Sequence, residues 1–189
     1  SKYLSQIAIV KTVGGVVFPG HPLAASQEEL EQLIGFSRDI DASRAKARAL
    51  LKEAGVPEGF QFVFNNRGVD QPYKVVGTWL VDQWRKVGLD PQQTVKPSPQ
   101  FYDTLRKTSD FDVSIDFNCQ SVINPIADVS KFLCSAGNNY SNCENQEIED
   151  LYDSLMRAAT LDEQRSIMRQ YEKAALDHAG GAITLWWYK

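Results

Sequence analysis

Phe111, Val113, Ile115 and Phe117 alternate with Asp110, Asp112, Ser114 and Asp116, the period-2 pattern of a strand with one buried face. The strand predicted over residues 110–117 is followed at once by a polar stretch, NCQS, in place of a tight turn. Upstream the period changes to that of helices. RAKARALLKEA predicts a helix from Ala42, with Asp41 as its cap, Gly55 in the left-handed position past its end and Pro57 just beyond. FQFVFN reads as a strand. In PYKVVGTWLVDQWRKVGLD, Pro72 suits a helix start, Val76, Trp79, Leu80, Trp84 and Val87 form one apolar stripe, and Gly88 ends it. QQTVK is a short strand and PQFYDTLRKT a short helix. The resulting order, αβαβαβ, indicates βαβ units and a largely parallel sheet covered on both faces, an α/β fold.

The remainder is mostly helical. IADVSKFL predicts a brief helix; Ile148, Leu151, Tyr152, Leu155 and Met156 stripe a longer one, and Met168, Tyr171, Ala175 and His178 another. Thr160 and Glu163 make a capping box at the start of the last helix. GAITLWWYK closes as a strand. Residues 1–40, with the breakers of VGGVVFPGHPLA and one or two helical turns in SQEELEQLIGF, read as an irregular arm packed on a lobe formed by residues 41–189.

With 189 residues and 43% apolar composition, the chain suffices for one substantial core or a core with an extension. No apolar run approaches the ~18 residues of a membrane span, and the first residues lack the layout of a signal peptide. The net charge of −4, with dispersed basic residues, gives no footprint for nucleic acid or for an anionic membrane.

The usual catalytic signatures, G-x-S-x-G, a phosphate-cradling glycine loop and H-E-x-x-H, are missing. His21 lies in the arm and His178 on an apolar stripe, which favours a structural role. Asp110, Asp112 and Asp116 lack the companions of a calcium loop, so solvated or backbone-capping carboxylates are expected. No catalytic residue, metal ligand or cofactor is assigned. Ligands of open α/β sheets gather at the carboxyl ends of strands. Two polar segments qualify there: Asn65, Asn66 and Arg67 after FQFVF, and Phe117, Asn118, Cys119, Gln120 and Ser121 after DVSID. The same segments also suit ordinary connecting loops. Cys134 and Cys143 bracket a Gly, Ser and Asn-rich loop, and their spacing alone leaves a bridge and two free thiols both open.

ASRAKARALLKEAGVPEGFQFVFNNR, WLVDQWRKVGLDPQQTV, DFDVSIDFNCQSVINP, NYSNCENQEIEDLYDSLMRAATLDEQRSIMRQYEKAAL and ITLWWYK resemble, in that order, the C-terminal half of bacterial family 5 extracellular solute-binding proteins. These are the peptide, nickel and related receptors of ABC importers. The order and spacing of the five segments carry the resemblance, which spans residues 19–189. It implies a periplasmic-binding-protein type II-like lobe, a mixed and largely parallel sheet flanked by helices, cut from a longer two-lobed receptor. It further implies a monomer, periplasmic or membrane-anchored, that works with permease subunits and closes about a hinge on a polar solute, whether peptide, amino-acid-derived or sugar-like. The loop from Phe117 to Ser121 would line the cleft. Asn118 stands where peptide binders commonly carry a tryptophan, and Ser121 where they carry the aspartate that reads the peptide amine. The extracytoplasmic setting of the family implies the bridge between Cys134 and Cys143. A rival reading makes the chain an intracellular enzyme domain with Cys119 as nucleophile.

Overall fold

The structure, a computed structural model, describes residues 13–33, 35–117, 119–120, 123–184 and 186. In chain order its regular elements are α1 Gln27–Glu31, α2 Ile40–Glu53, β1 Phe60–Arg67, α3 Val75–Arg85, β2 Leu89–Lys96, α4 Ser98–Asp103, β3 Val113–Ile115, α5 Pro125–Val129, α6 Gln146–Arg157 and α7 Leu161–Asp177. A π-helical turn, Asp70–Lys74, leads into α3, and a second, Thr104–Thr108, continues α4. The elements divide into two compact units, one of residues 38–118 and one joining residues 13–37 to 119–186.

The unit of residues 38–118 holds the sheet. Three parallel strands run in the order β2-β1-β3, with β1 paired to β2 from Phe60↔Leu89 to Arg67↔Lys96 and to β3 from Phe64↔Val113 to Asn66↔Ile115. A central strand must bury both faces, and β1 does so: Phe64, Asn65 and Asn66 have no exposed surface. Trp84 of α3 meets Phe62 and Phe64 edge-on at 5.2 and 5.0 Å. Val76, Val81, Phe101 and Leu105 complete this core. The cap of α2 is Asp39 rather than Asp41, accepting from the N–H groups of Asp41 and Ala42. Both residues suit a cap chemically; the earlier one adds Ile40 and Asp41 to the helix. Gly55, at φ 73, closes the helix as expected.

The alternating segment 110–117 forms ladder pairs only over Val113–Ile115. Its acidic face explains the trimming: Asp112 accepts the Val63 N–H through Oδ2 (2.7 Å), and Asp116 accepts the Phe117 N–H through Oδ1 (2.9 Å). Carboxylates here take backbone donors that a longer ladder would have used.

In the other unit, Val16, Val17, Leu23, Val129, Leu133, Ile148, Leu155, Met168, Tyr171 and Ala175 form one core. Thr160 and Glu163 make the reciprocal capping box at the start of α7. Residues 13–33, part of the expected arm, run through this core. Glu172 of α7 accepts the Val16 N–H at 2.7 Å, Arg165 donates twice to the Pro22 carbonyl, and Trp186 Nε1 donates to the Gly15 carbonyl at 3.0 Å. Cys134 and Cys143 are joined by a disulfide. Both histidines are used structurally: His21 Nδ1 accepts the Leu23 N–H (3.0 Å), and His178 caps α7 with its ring nitrogen 3.8 Å from Cys134 Sγ. Residues 181–184 of the expected closing strand are not in a strand, and of the rest only Trp186, a single bridge, lies among the described residues.

Candidate functional site

The carboxyl end of β1 delivers Arg67 to the edge of the sheet. Immediately after β2 the chain turns into α4, whose first turn carries Pro99, and Ser98 and Tyr102 fall four residues apart on one helical face. Both reach the guanidinium: Arg67 Nε donates to Ser98 Oγ at 2.9 Å and Nη1 to the Tyr102 hydroxyl at 3.3 Å. Three rings enclose it, with Cζ lying 5.1 Å from the Tyr73 centroid, 5.2 Å from Tyr102 and 5.9 Å from Phe117. Tyr73 comes from the π-helical turn after β1 and meets Phe117 edge-on at 6.3 Å. A guanidinium is weakly hydrated and stacks well on aromatic faces, so the three rings hold its plane around a half-buried side chain. Arg67 has no ion-pair partner among the described residues.

The hydroxyl of Tyr102 also donates to Asp116 Oδ1, at 3.3 Å. Arg106 lies over the same phenol ring, 4.9 Å from its centroid. Burial pushes the Tyr73 hydroxyl up to about 12, against the pull of Arg67. Burial also raises Tyr102, helped by the charge of Asp116 and opposed by Arg67. Both phenols therefore stay neutral at ordinary pH and serve as hydroxyl partners. Desolvation raises Asp116, while the Phe117 N–H, the Tyr102 hydroxyl and the charges of Arg67 and Arg106 pull it back. Chemically the arrangement offers a rigid fork of N–H donors with a carboxylate one hydroxyl away. That suits recognition of an anionic group and its surroundings.

The residues expected here from sequence divide. Arg67 and Phe117 meet, and Phe117 is 42% exposed. Asn65 and Asn66 belong inside β1 rather than in a loop after it, because residues 65–67 pair with 94–96 and extend the strand. Neither asparagine is accessible to a solute. Asn65 Nδ2 donates to Ser114 Oγ at 3.4 Å; Asn66 accepts from Gln93 Nε2 at 3.2 Å and donates to the Arg67 carbonyl at 2.9 Å. Gln120 lies in the other unit, where Phe18 N–H donates to its Oε1 (2.9 Å) and its Nε2 donates to the Val16 carbonyl (3.1 Å). Its amide is spent at both ends on backbone. Cys119, also in that unit, is exposed and unbridged. Asn118 and Ser121 lie outside the described residues. Sequence reasoning missed Ser98, Tyr102 and Tyr73 around Arg67. The i, i+4 spacing of Ser98 and Tyr102 after a strand end was the available signal for two of them.

Known structures share this architecture. A dipeptide binding protein from Pseudoalteromonas sp. SM9913, in complex with Met-Leu, superposes with a TM-score of 0.75 at 16% identity, over 95% of this chain and 36% of its own. DppA, an ABC transporter-associated periplasmic binding protein from Helicobacter pylori in complex with the peptide STSA, gives 0.70 at 14% identity, over 95% and 34%. The binding protein AgaA from A. tumefaciens R10, in complex with agropinic acid, gives 0.66 at 18% identity, over 94% and 36%. The fold is thus the periplasmic-binding-protein type II-like one, a mixed α/β architecture with a parallel sheet flanked by helices, and the chain spans about a third of the length of these proteins. No curated protein sequence matches it. Residues 7–140 match the family described as bacterial extracellular solute-binding proteins, family 5 Middle, and with well over half of its length inside that match the chain belongs to this family.

Proposed function

We propose that the chain is part of the substrate-binding component of an ABC importer, and that Arg67 anchors an acidic group of a polar solute held by hinge closure of a longer two-lobed receptor. The observation that carries this reading is the caged guanidinium: oriented by Ser98 and Tyr102, enclosed by three rings and not neutralised by a carboxylate of its own. Such a group is costly to leave desolvated unless an anion joins it. Peptides and agropinic acid, found in complex with the structural neighbours, carry carboxylates that meet this need. The family and the disulfide between Cys134 and Cys143 support a periplasmic or otherwise extracytoplasmic setting, with permease subunits as partners and a monomeric receptor. Against Cys119 as an enzyme nucleophile, both histidines are committed to the scaffold.

The test is a thermal-shift screen of the chain with carboxylate-bearing peptides, opines and neutral sugars, followed by calorimetry of the best ligand with Arg67→Met. Removing the guanidinium should weaken an acidic ligand by about 2 kcal/mol, the scale of a desolvated charge-assisted pair. Undiminished affinity in the variant, or protection by neutral sugars alone, would reject Arg67 as the anchor.

A further inference from the structure

Cys134, Cys143 and His178 meet from three places in the unit of residues 13–37 and 119–186: Cys134 follows the turn after α5, Cys143 lies just before α6, and His178 is the C-cap residue of α7. Their two Sγ atoms and a ring nitrogen all lie within 4.8 Å of one another, with His178 Nε2 3.8 Å from Cys134 Sγ. In the bridged chain that contact gains little, because a disulfide sulfur has no hydrogen to donate and accepts only weakly. Two thiolates and an imidazole in the same positions are three ligands of a borderline or soft metal ion. Tetrahedral zinc puts its nitrogen and sulfur ligands about 3.5 Å apart and two sulfurs about 3.8 Å apart. The imidazole already stands near that spacing, and only the sulfurs must part once the bridge opens. The partial negative charge at the carboxyl end of α7, a helix of 17 residues, favours a cation beside His178.

Contacts other than the bridge hold both cysteines near each other. Ser135 donates through its N–H and its Oγ to Glu149 of α6, each at 3.0 Å, and Leu133 is buried in the core. Asn139 Nδ2 donates to the Leu133 carbonyl at 2.8 Å and lies 3.9 Å from Cys143 Sγ, while its Oδ1 accepts the Ser141 N–H at 2.9 Å. An amide donor beside a thiolate is the support that metal-bound sulfur uses. Asn145, two residues past Cys143, accepts the Ile148 N–H at 3.2 Å. Gly180 packs on the imidazole, where a Cβ would lie 3.2 Å from His178 Cδ2 and 3.3 Å from Ser141 Oγ.

We propose that reduction of the Cys134–Cys143 bridge turns this corner into a site for zinc or another borderline-to-soft ion, held by both thiolates and His178 with water in the fourth position. A dithiol reductant breaks the S–S bond, its two thiol hydrogens passing to Cys134 and Cys143 as its own sulfurs join; the metal ion then displaces both protons to solvent. The same loop is thus closed either covalently or by a metal ion. The site lies outside the unit that holds Arg67, and its test is independent of that residue.

Cobalt(II), then zinc, is added to the Cys119→Ser chain, which removes the remaining thiol of the three. Protein reduced with a phosphine and freed of it under nitrogen is compared with bridged protein. The reduced chain should bind one equivalent of cobalt(II) with a thiolate charge-transfer band and the visible bands of a tetrahedral site. Zinc should displace it, and bridged protein should show neither band. Zinc should also raise the melting temperature of the reduced chain while leaving that of the bridged chain within about a degree. His178→Ala and His178→Gln should each weaken zinc binding by at least about tenfold, and their bridged forms, melting near the parent, exclude misfolding as the cause. The absence of a charge-transfer band in the reduced chain overturns the proposal. Equal cobalt binding by reduced and bridged protein places the metal elsewhere and overturns it too, as does undiminished zinc affinity in both His178 variants. A reduced chain that shows no cooperative melting even with zinc overturns it as well, since the three ligands meet only in the folded state.

Discussion

Glu172 shows how much one side chain can organise. It is fully buried on α7, where its Oε1 accepts the Val16 N–H at 2.7 Å and its Oε2 lies 3.4 Å from Arg169 Nη1. Desolvation raises its pKa above the ordinary 4.5, with Glu29 adding to the rise and Arg169 and the Val16 N–H opposing it. The folded state therefore holds this proton to higher pH than the unfolded chain does. The stability contributed by the group is greatest below the ordinary value, falls as pH climbs through the raised one and stays low above it. Glu172→Gln keeps an acceptor for Val16 and removes the titration, so urea midpoints at about pH 4 and about pH 7.5 should differ less in the variant than in wild type. Glu172→Ala strands the buried Val16 N–H, while Arg169 keeps Glu29 and the Leu23 carbonyl, and should cost about 2–3 kcal/mol. A pH dependence of equal size in wild type and Glu172→Gln would contradict this assignment. The helical pattern left Glu172 unremarked, since an apolar stripe is read from its hydrophobic members and says nothing of a buried carboxylate beside them. Gln120 and Asn66 were expected as ligand contacts for a related reason: polar residues near a strand end suit that role by pattern, and no local signal shows that their amides bond within the fold. Arg67 was legible because a strand end fixes where its side chain emerges, whereas Tyr73 and Tyr102 reach it from separate elements that no local pattern connects.

At the scale of elements, β1 against α3 illustrates a contact that pattern predicts and geometry sharpens. The apolar stripe of α3 was visible in Val76 and Trp84, but the closest approach is made by Gly77, where an added Cβ would come within 1.6 Å of Asn66 Oδ1. Helix propensity alone favours Gly77→Ala by about 1 kcal/mol. Overpacking costs about 1–3 kcal/mol, and a displaced Asn66 amide loses buried hydrogen bonds of about 1 kcal/mol each. The clash therefore wins, and Gly77→Ala should destabilise by about 2 kcal/mol in urea unfolding. In an Asn66→Ala background the same change should be neutral or stabilising, since the main obstruction is gone and the remaining close atom, Gln93 Nε2 at 3.0 Å, is the far end of a flexible side chain that can give way. Equal destabilisation in both backgrounds would place the cost elsewhere. Elements whose signals are local, such as the capping box of Thr160 and Glu163 or the left-handed Gly55, were legible to the residue. The length of β3 was not, because the ladder ends where Asp112 finds the Val63 N–H, and that partner lies 49 residues away.

For the whole molecule, two separate sets of buried residues matter more than the single lobe that the alternation of strands and helices suggested. Phe64, Val76, Val81, Phe101 and Leu105 lie in the unit of residues 38–118, and Val16, Leu23, Ile148, Leu155, Met168 and Tyr171 in the other. Sequence order hides this partition, since residues 13–37 join a core built mainly after residue 119, and the contact depends on Glu172 and Gln120 reaching across more than a hundred positions to Val16. Each unit approaches the size at which one core sustains cooperative unfolding, so calorimetry of the chain should depart from a single two-state transition. The two substitutions argued above assign the components. Gly77→Ala touches only residues of the sheet-bearing unit, and Glu172→Ala only those of the other. Each should lower one component by several degrees, as about 2–3 kcal/mol does for units of this size, while leaving the other within about a degree. Both variants shifting one common transition would show a single cooperative body, and the two cores would then be one thermodynamic unit despite their separate packing.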